Sequence, residues 1–179
     1  SKWLQGYAAE SKSALETRKA LRRFLGPQLE PSYIYSDNSL EIEKAVKELN
    51  WDDRHDTSIP HYPNTNGIIE RCVRTTKEGI NSSLVQGNAS PEMWADAMRH
   101  FLLMHNVTDK CANGKTPYEM RFERLFNGLI WHFAIEVEYK PTPPTQIAKM
   151  HAFGRKLLSG FFWGYRQECG GNYDGVMYV

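Results

Sequence analysis

The sequence predicts an α/β fold over its first two thirds, followed by a small all-β unit. Three observations carry this. Short strand-like runs and helix-period runs alternate as strand, helix, strand, helix, strand over residues 2–59. Helix start signals then recur up to about residue 125. Beyond Phe126 the helical period gives way to aromatic strand-like runs broken by Pro141, Pro143, Pro144 and Gly170-Gly171. The boundary is therefore placed between a unit at 1–126 and a β module at 127–179.

Residues 2–8, Lys-Trp-Leu-Gln-Gly-Tyr-Ala, alternate loosely and contain aromatics, as a strand would. Ser11 or Ser13 can cap a helix that ends at Leu25 before Gly26-Pro27, with Leu15, Ala20, Leu21, Phe24 and Leu25 as its apolar stripe. Tyr33-Ile34-Tyr35 is a short buried strand. Ile42, Ala45, Val46 and Leu49 give the spacing of a helix over 40–49, and residues 54–59 form a further strand. Two prolines and three polar turn formers make 60–66 a loop. Gly67 opens a long helix whose inward face is Ile69, Cys72, Val73, Thr76 and Ile80, with Glu70, Arg74, Lys77 and Asn81 along another face. Ser90-Pro91-Glu92 starts the next, running to about 106 and burying Trp94, Ala97, Met98, Phe101, Leu102 and His105. Thr116-Pro117-Tyr118-Glu119 starts a shorter one. Strand-like runs follow at 130–139 and 160–165, with a third ending at Val179.

With 179 residues, 41% hydrophobic and 24% charged, the chain can bury a core, and wholesale disorder is excluded. No stretch approaches the length of a membrane span, so no membrane partner is expected. The start at Ser1 has no signal-peptide core and no Met, and is read as an internal piece of a longer chain. Cys72, Cys111 and Cys169 lie far apart, without zinc-knuckle or disulfide spacing, which favours a reducing, intracellular compartment. A net charge of +1 hides an asymmetry: residues 1–26 carry six basic groups against two acids, residues 27–58 eight acids against three bases. Such neighbouring zones suit a chain that holds cations in one place and phosphates in another, although a charge run is commonly only a solvated face.

The most informative pair is Asp37, just past a buried strand, and Glu70, in the first turn of a helix, with 32 residues between them. Open α/β sheets place their sites at strand ends. Two carboxylates so placed are hard oxygen ligands for Mg²⁺, and phosphoryl transfer commonly uses two such ions. Arg71, Arg74 and Lys77 behind Glu70 supply positive charge for a DNA backbone.

Asp37-Asn38-Ser39, the run from Pro60-His61-Tyr62-Pro63 through Asn64-Thr65-Asn66-Gly67-Ile68-Ile69-Glu70-Arg71, Trp94, Asn106 and Gly114-Lys115-Thr116-Pro117-Tyr118-Glu119 together resemble the integrase core of retroelements, in particular copia-type retrotransposon pol polyproteins. The resemblance covers roughly residues 1–125. Val137-Glu138-Tyr139-Lys140-Pro141 and Gly160-Phe161-Phe162-Trp163-Gly164-Tyr165 resemble the SH3-like barrel that often follows that core.

The resemblance implies a ribonuclease H-like fold and a metal-dependent polynucleotidyl transferase that trims 3′ ends and joins them to target DNA. It implies two Mg²⁺ or Mn²⁺ ions, DNA as partner, a homo-oligomer, and a nuclear or element-particle location. Asp37 matches the second acid of the family's Asp, Asp, Glu triad and Glu70 the third, at slightly shorter spacing than usual. Asn66, Arg71, Arg74 and Lys77 are the candidate DNA contacts. Residues 1–36 contain no Asp, so the first acid is expected upstream of Ser1.

Each residue also has a plainer reading. Asp37 before Asn38 suits a turn, Glu70 suits a helix N-terminus, and Arg71, Arg74 and Lys77 suit a solvated face. His55 and His61 are read as surface or loop histidines, and Asn64 and Asn66 as shaping the loop. Two other functions therefore stand beside integration: a catalytically inactive or domesticated nucleic-acid-binding relative, and a structural assembly module.

Overall fold

The computed structural model describes residues 2–26, 28–58, 67–142, 144–148 and 150–179. The order is α1 (Ala14–Leu25), β1 (Ile34–Ser36), α2 (Leu40–Glu48), β2 (His55–Thr57), α3 (Gly67–Gln86), α4 (Trp94–Thr108), α5 (Pro117–Phe122), β3 (Glu136–Tyr139), α6 (Pro144–Ile147), β4 (Leu158–Phe161), β5 (Gly164–Gln167) and β6 (Tyr173–Tyr178).

The helix starts follow local chemistry. Ser13 Oγ accepts the Glu16 N–H at 3.3 Å and opens α1, which closes at Gly26 with φ 102°, a conformation that favours glycine. Thr116 and Glu119 form a complete reciprocal capping box at α5. β1 and β2 pair in parallel, Tyr35 opposite Asp56, with α2 as the crossover. Ala45 and Val46 of α2 are fully buried, and Trp51 is buried just beyond the helix end. The Arg22 guanidinium of α1 lies 4.7 Å from the Trp51 ring centre, and Arg18 bridges to Glu48 at 3.3 Å. The apolar stripe expected on α1 is shallower than its spacing implies: no α1 residue is fully buried, and Leu15 is exposed.

Residues 2–8 form no ladder with another strand, contrary to the strand expected there. Their backbone partners come from helix side chains instead. Leu4 N–H donates to Asn106 Oδ1 at 3.0 Å, Asn106 Nδ2 donates to Leu4 O at 2.7 Å, and His105 Nε2 lies 3.1 Å from Lys2 O. The segment is extended, but α4 satisfies it.

α3 packs on α4, and Gly79 is the point of closest approach: a Cβ there would sit 2.2 Å from the Phe101 ring. Only the second half of α3 is inward, with Gly79 and Leu84 buried; Ile69 and Val73, expected on the inward face, are exposed. Trp94, expected in the core, is 46% exposed. All three residues line an apolar groove between residues 4–6, α3 and α4. Among the described residues, the groove's other walls are residues 4–6 and Trp94, Met98 and Leu102 of α4, which leave Ile69 and Val73 uncovered.

The β unit holds two antiparallel pairs, β3 with β4 and β5 with β6, joined where Trp163 N–H donates to Tyr178 O at 2.9 Å. It shares its core with what precedes it. Trp3, Leu103, Val107 and Tyr118 form one buried cluster with Phe162, Tyr165 and Tyr173. Ring contacts run from Trp3 to Tyr118, Phe126 and Tyr165 without a break.

His100 of α4 is held in this cluster, stacked on Tyr165 and edge-on to Phe162, with Nε2–H donating to Trp131 O at 2.9 Å. Its Nδ1 is buried with no partner among the described residues. Burial holds the ring below its ordinary pKa of 6.5, against the opposing pull of the Trp131 carbonyl. Above pH 6.5 both folded and unfolded chains carry neutral His100. Below it the unfolded chain takes up a proton that the fold resists, so stability falls with pH until the folded-state pKa is passed. The urea midpoint is expected to drop between pH 7 and pH 5, and His100→Gln is expected to shrink that drop.

Candidate functional site

Asp37 directly follows β1, and its position is fixed through its backbone. Ser36 is buried, and its Oγ donates to Asp37 O at 2.8 Å; the Ser39 N–H donates to the same carbonyl at 2.9 Å. His55 Nε2, across the β1–β2 ladder, lies 2.8 Å from Ser36 Oγ. A hydroxyl has one proton to give, so with Ser36 donating to Asp37 O, His55 donates from Nε2. His55, read from sequence as a surface or loop residue, is thus a half-buried strand residue that secures the turn carrying Asp37. The Asp37 carboxylate itself is exposed and has no partner among the described residues.

The nearest alternative acid is already engaged. Glu41 accepts from Ser39 Oγ at 2.7 Å and bridges to Lys12 at 3.7 Å, and the Ser39 hydroxyl chiefly holds its carboxyl below the usual range.

Glu70 lies in the first turn of α3, exposed, where the helix dipole favours a negative charge. Glu70, Arg74 and Lys77 follow each other at i, i+4 and i+7 along one face. They line an open cleft together with Tyr35, Asp37 and Ile42. The structure therefore brings Asp37 and Glu70 to the same cleft and adds two cations from the same helix. Arg71 is exposed but does not line the cleft. No acid pairs with Arg71, Arg74 or Lys77 among the described residues. Asn66, with the rest of loop 60–66 including His61 and Asn64, lies outside the described residues.

As hard oxygen donors, Asp37 and Glu70 fit a divalent cation such as Mg²⁺ or Mn²⁺. Among the described residues, no group of three or more His, Cys, Asp or Glu side chains is disposed to hold a metal ion. The cleft thus supplies two carboxylates. Sequence reasoning missed Ser36, His55 and Tyr35 here. The strand expected to be buried at Tyr33-Ile34-Tyr35 is β1, but Tyr33 and Tyr35 are exposed and only Ser36 is buried; a small polar residue at a strand end, just before an acid, was the available signal for Ser36, and nothing in the sequence pairs it with His55.

No known family model matches the chain. The uncharacterized protein K02A2.6 of Caenorhabditis elegans is 30% identical over 128 residues, 69% of this chain. The retrovirus-related Pol polyprotein from transposon 412 of Drosophila melanogaster is 28% identical over 127 residues, 66% of this chain. The chain spans about 10% of the length of each. Among solved structures, the catalytic core domain of BIV integrase matches 64% of this chain and 74% of its own at 24% identity, with a TM-score of 0.46. A chain of the simian T-cell lymphotropic virus intasome, solved with the PP2A regulatory subunit B56 gamma, matches 91% of this chain and 58% of its own at 20% identity, with a TM-score of 0.51. This last match assigns the fold: it is ribonuclease H-like, as expected. In sequence the chain is related to a retrotransposon Pol polyprotein.

Ser36→Ala removes one hydroxyl that serves two partners. It is expected to lower stability by about 1–2 kcal/mol in urea denaturation and to speed amide exchange at Ser39. An unchanged exchange rate would show that Asp37 is held by other means.

Proposed function

We propose that this chain is the integrase portion of a retrotransposon pol polyprotein and takes part in metal-dependent DNA integration through the cleft lined by Asp37 and Glu70. The observation that carries the reading is the convergence of two unpaired carboxylates from different elements with Arg74 and Lys77 on one open cleft. The copia-type subdivision rests on the sequence motifs alone.

In this reading Asp37 and Glu70 hold Mg²⁺ or Mn²⁺, two ions in the complete enzyme. A bound divalent ion polarises the phosphodiester and stabilises charge on the attacking and leaving oxygens. The chain's own residues do the rest. Ser36 and His55 keep the Asp37 turn in place, the first turn of α3 presents Glu70, and Arg74 and Lys77 neutralise DNA phosphates along the cleft, with Arg71 and Asn66 as further DNA contacts. The partners are then the element's DNA ends and target DNA, in a homo-oligomer. The intasome match, itself a DNA-integration assembly by name, supports that partnership. No helix among the described residues is long and apolar enough to cross a membrane, and the expected location is the nucleus or an element particle.

A second reading, a relative that binds nucleic acid without cutting it, is favoured by one observation: no third carboxylate joins Asp37 and Glu70 among the described residues.

Three measurements test these readings. Mn²⁺ should bind weakly, as seen by calorimetry, and Asp37→Asn or Glu70→Gln should abolish the binding; heat unchanged in both variants would remove the cleft from the metal chemistry. With two of three acids, the 179-residue chain should show negligible cleavage or strand transfer on labelled DNA ends. Binding to duplex DNA should weaken with salt by ~0.9 decades per decade for each phosphate contact, and Arg74→Glu with Lys77→Glu should flatten the slope by about two such contacts. An unchanged slope would make this face solvated surface.

A further inference from the structure

We propose that the β3–β4 connection carries a stacking site for an unpaired base of single-stranded nucleic acid, built on Phe153. This deepens the nucleic-acid reading above and rests on it, but it concerns a surface outside the Asp37–Glu70 cleft.

Three observations carry the proposal. First, Phe153 is 96% exposed, the most exposed of the large hydrophobic side chains among the described residues. Second, the turn that displays it is closed by its own hydrogen bonds. Gly154 N–H donates to His151 O at 3.0 Å, Phe153 N–H donates to His151 Nδ1 at 3.2 Å, and Lys156 Nζ donates to both His151 O and Ala152 O, at 3.2 and 2.9 Å. The backbone cannot tuck the ring away without breaking these bonds, and among the described residues His151 is its only ring neighbour, 6.2 Å off centre to centre. Third, residues 140–157 carry Lys140, Lys149, Arg155 and Lys156 and not one acid.

A polyanion is the partner that such a charge balance attracts. A ring held out alone can meet one flat face, and nucleic-acid bases combine flat faces with a polyanionic backbone. In a duplex those faces are covered by neighbouring base pairs. An unpaired or frayed strand offers them along its length, a blunt duplex only at its two ends. Arg155 pairs with Glu138 at 3.6 Å yet stays 87% exposed, and Lys140 is exposed in the same connection, so cations are open to backbone phosphates there.

The experiment titrates a labelled single-stranded oligonucleotide and its blunt duplex into the full chain by fluorescence anisotropy. The variants are Phe153→Ala, Phe153→Trp, and the cleft pair Arg74→Glu with Lys77→Glu. The surface position of Phe153 makes loss of fold in its variants unexpected, and circular dichroism checks it. Phe153→Ala is expected to weaken single-strand affinity about 10-fold and leave duplex affinity within about twofold. Phe153→Trp is expected to retain the affinity, with its indole emission quenched by the single strand. The proposal is overturned if Phe153→Ala binds single strands as the parent does, if both substrates weaken equally, or if the parent chain does not bind single strands. Failure of the cleft reading appears elsewhere, as an unchanged duplex salt slope in the cleft pair.

Discussion

The bidentate grip of Asn106 on Leu4 is the constraint on which the rest of the structure depends. Asn106 is almost fully buried in α4, and its amide both accepts from and donates to the Leu4 backbone. A buried amide left unpaired costs about 1–3 kcal/mol, so the two sets of groups satisfy each other or neither is stable inside. Holding Leu4 also delivers Trp3 into the core against Tyr118 and Phe122, under the Arg121 guanidinium at 5.0 Å. Gln5 and Gly6 then fall between α3 and α4. A Cβ on Gly6 would lie 2.9 Å from a Leu102 methyl, so the next residue of the segment is fitted to α4 as closely as the last. Gln5 borders both the apolar groove and the cleft of Asp37 and Glu70.

The acidic zone of residues 27–58 looked from sequence like a place to hold cations, and the structure divides it. Glu30 pairs with Arg54, Glu41 with Lys12, Glu48 with Arg18, and Asp56 accepts from Tyr33. These are exposed contacts, screened by solvent and weak contributors to stability. Their larger effect is selective. They leave Asp37 among the unpaired acids of the zone, on the cleft it shares with Arg74 and Lys77, which have no acidic partner among the described residues.

What was legible in the sequence was local. Ser13, Ser90 and Thr116 announce helix starts because a cap acts within one turn, and Asp37 and Glu70 announce themselves as acids at element boundaries. Helical period correctly predicted that Ala97, Met98 and Leu102 are buried. It failed for Trp94, Ile69 and Val73, because period says which residues share a face and not whether a neighbour covers it. It failed again at residues 2–8, where an extended segment satisfies its backbone through side chains of a helix about a hundred residues away. His55 and Ser36 meet only because β1 and β2 lie side by side, a contact that no spacing encodes.

The aromatic run from Trp3 through Tyr118 and Phe126 to Tyr165 crosses the point where the sequence changes texture. Cooperativity follows buried contacts rather than composition, and here the largest cluster draws on both sides of residue 126. The β strands are too short to sustain themselves as isolated pairs, so they borrow their stability from α4 and α5. In evolutionary terms the two segments are not freely exchangeable parts. A recombination event that swapped the tail for another would have to bring rings matching Trp3, Leu103 and Tyr118, which ties the inheritance of the β unit to that of the helices beneath it.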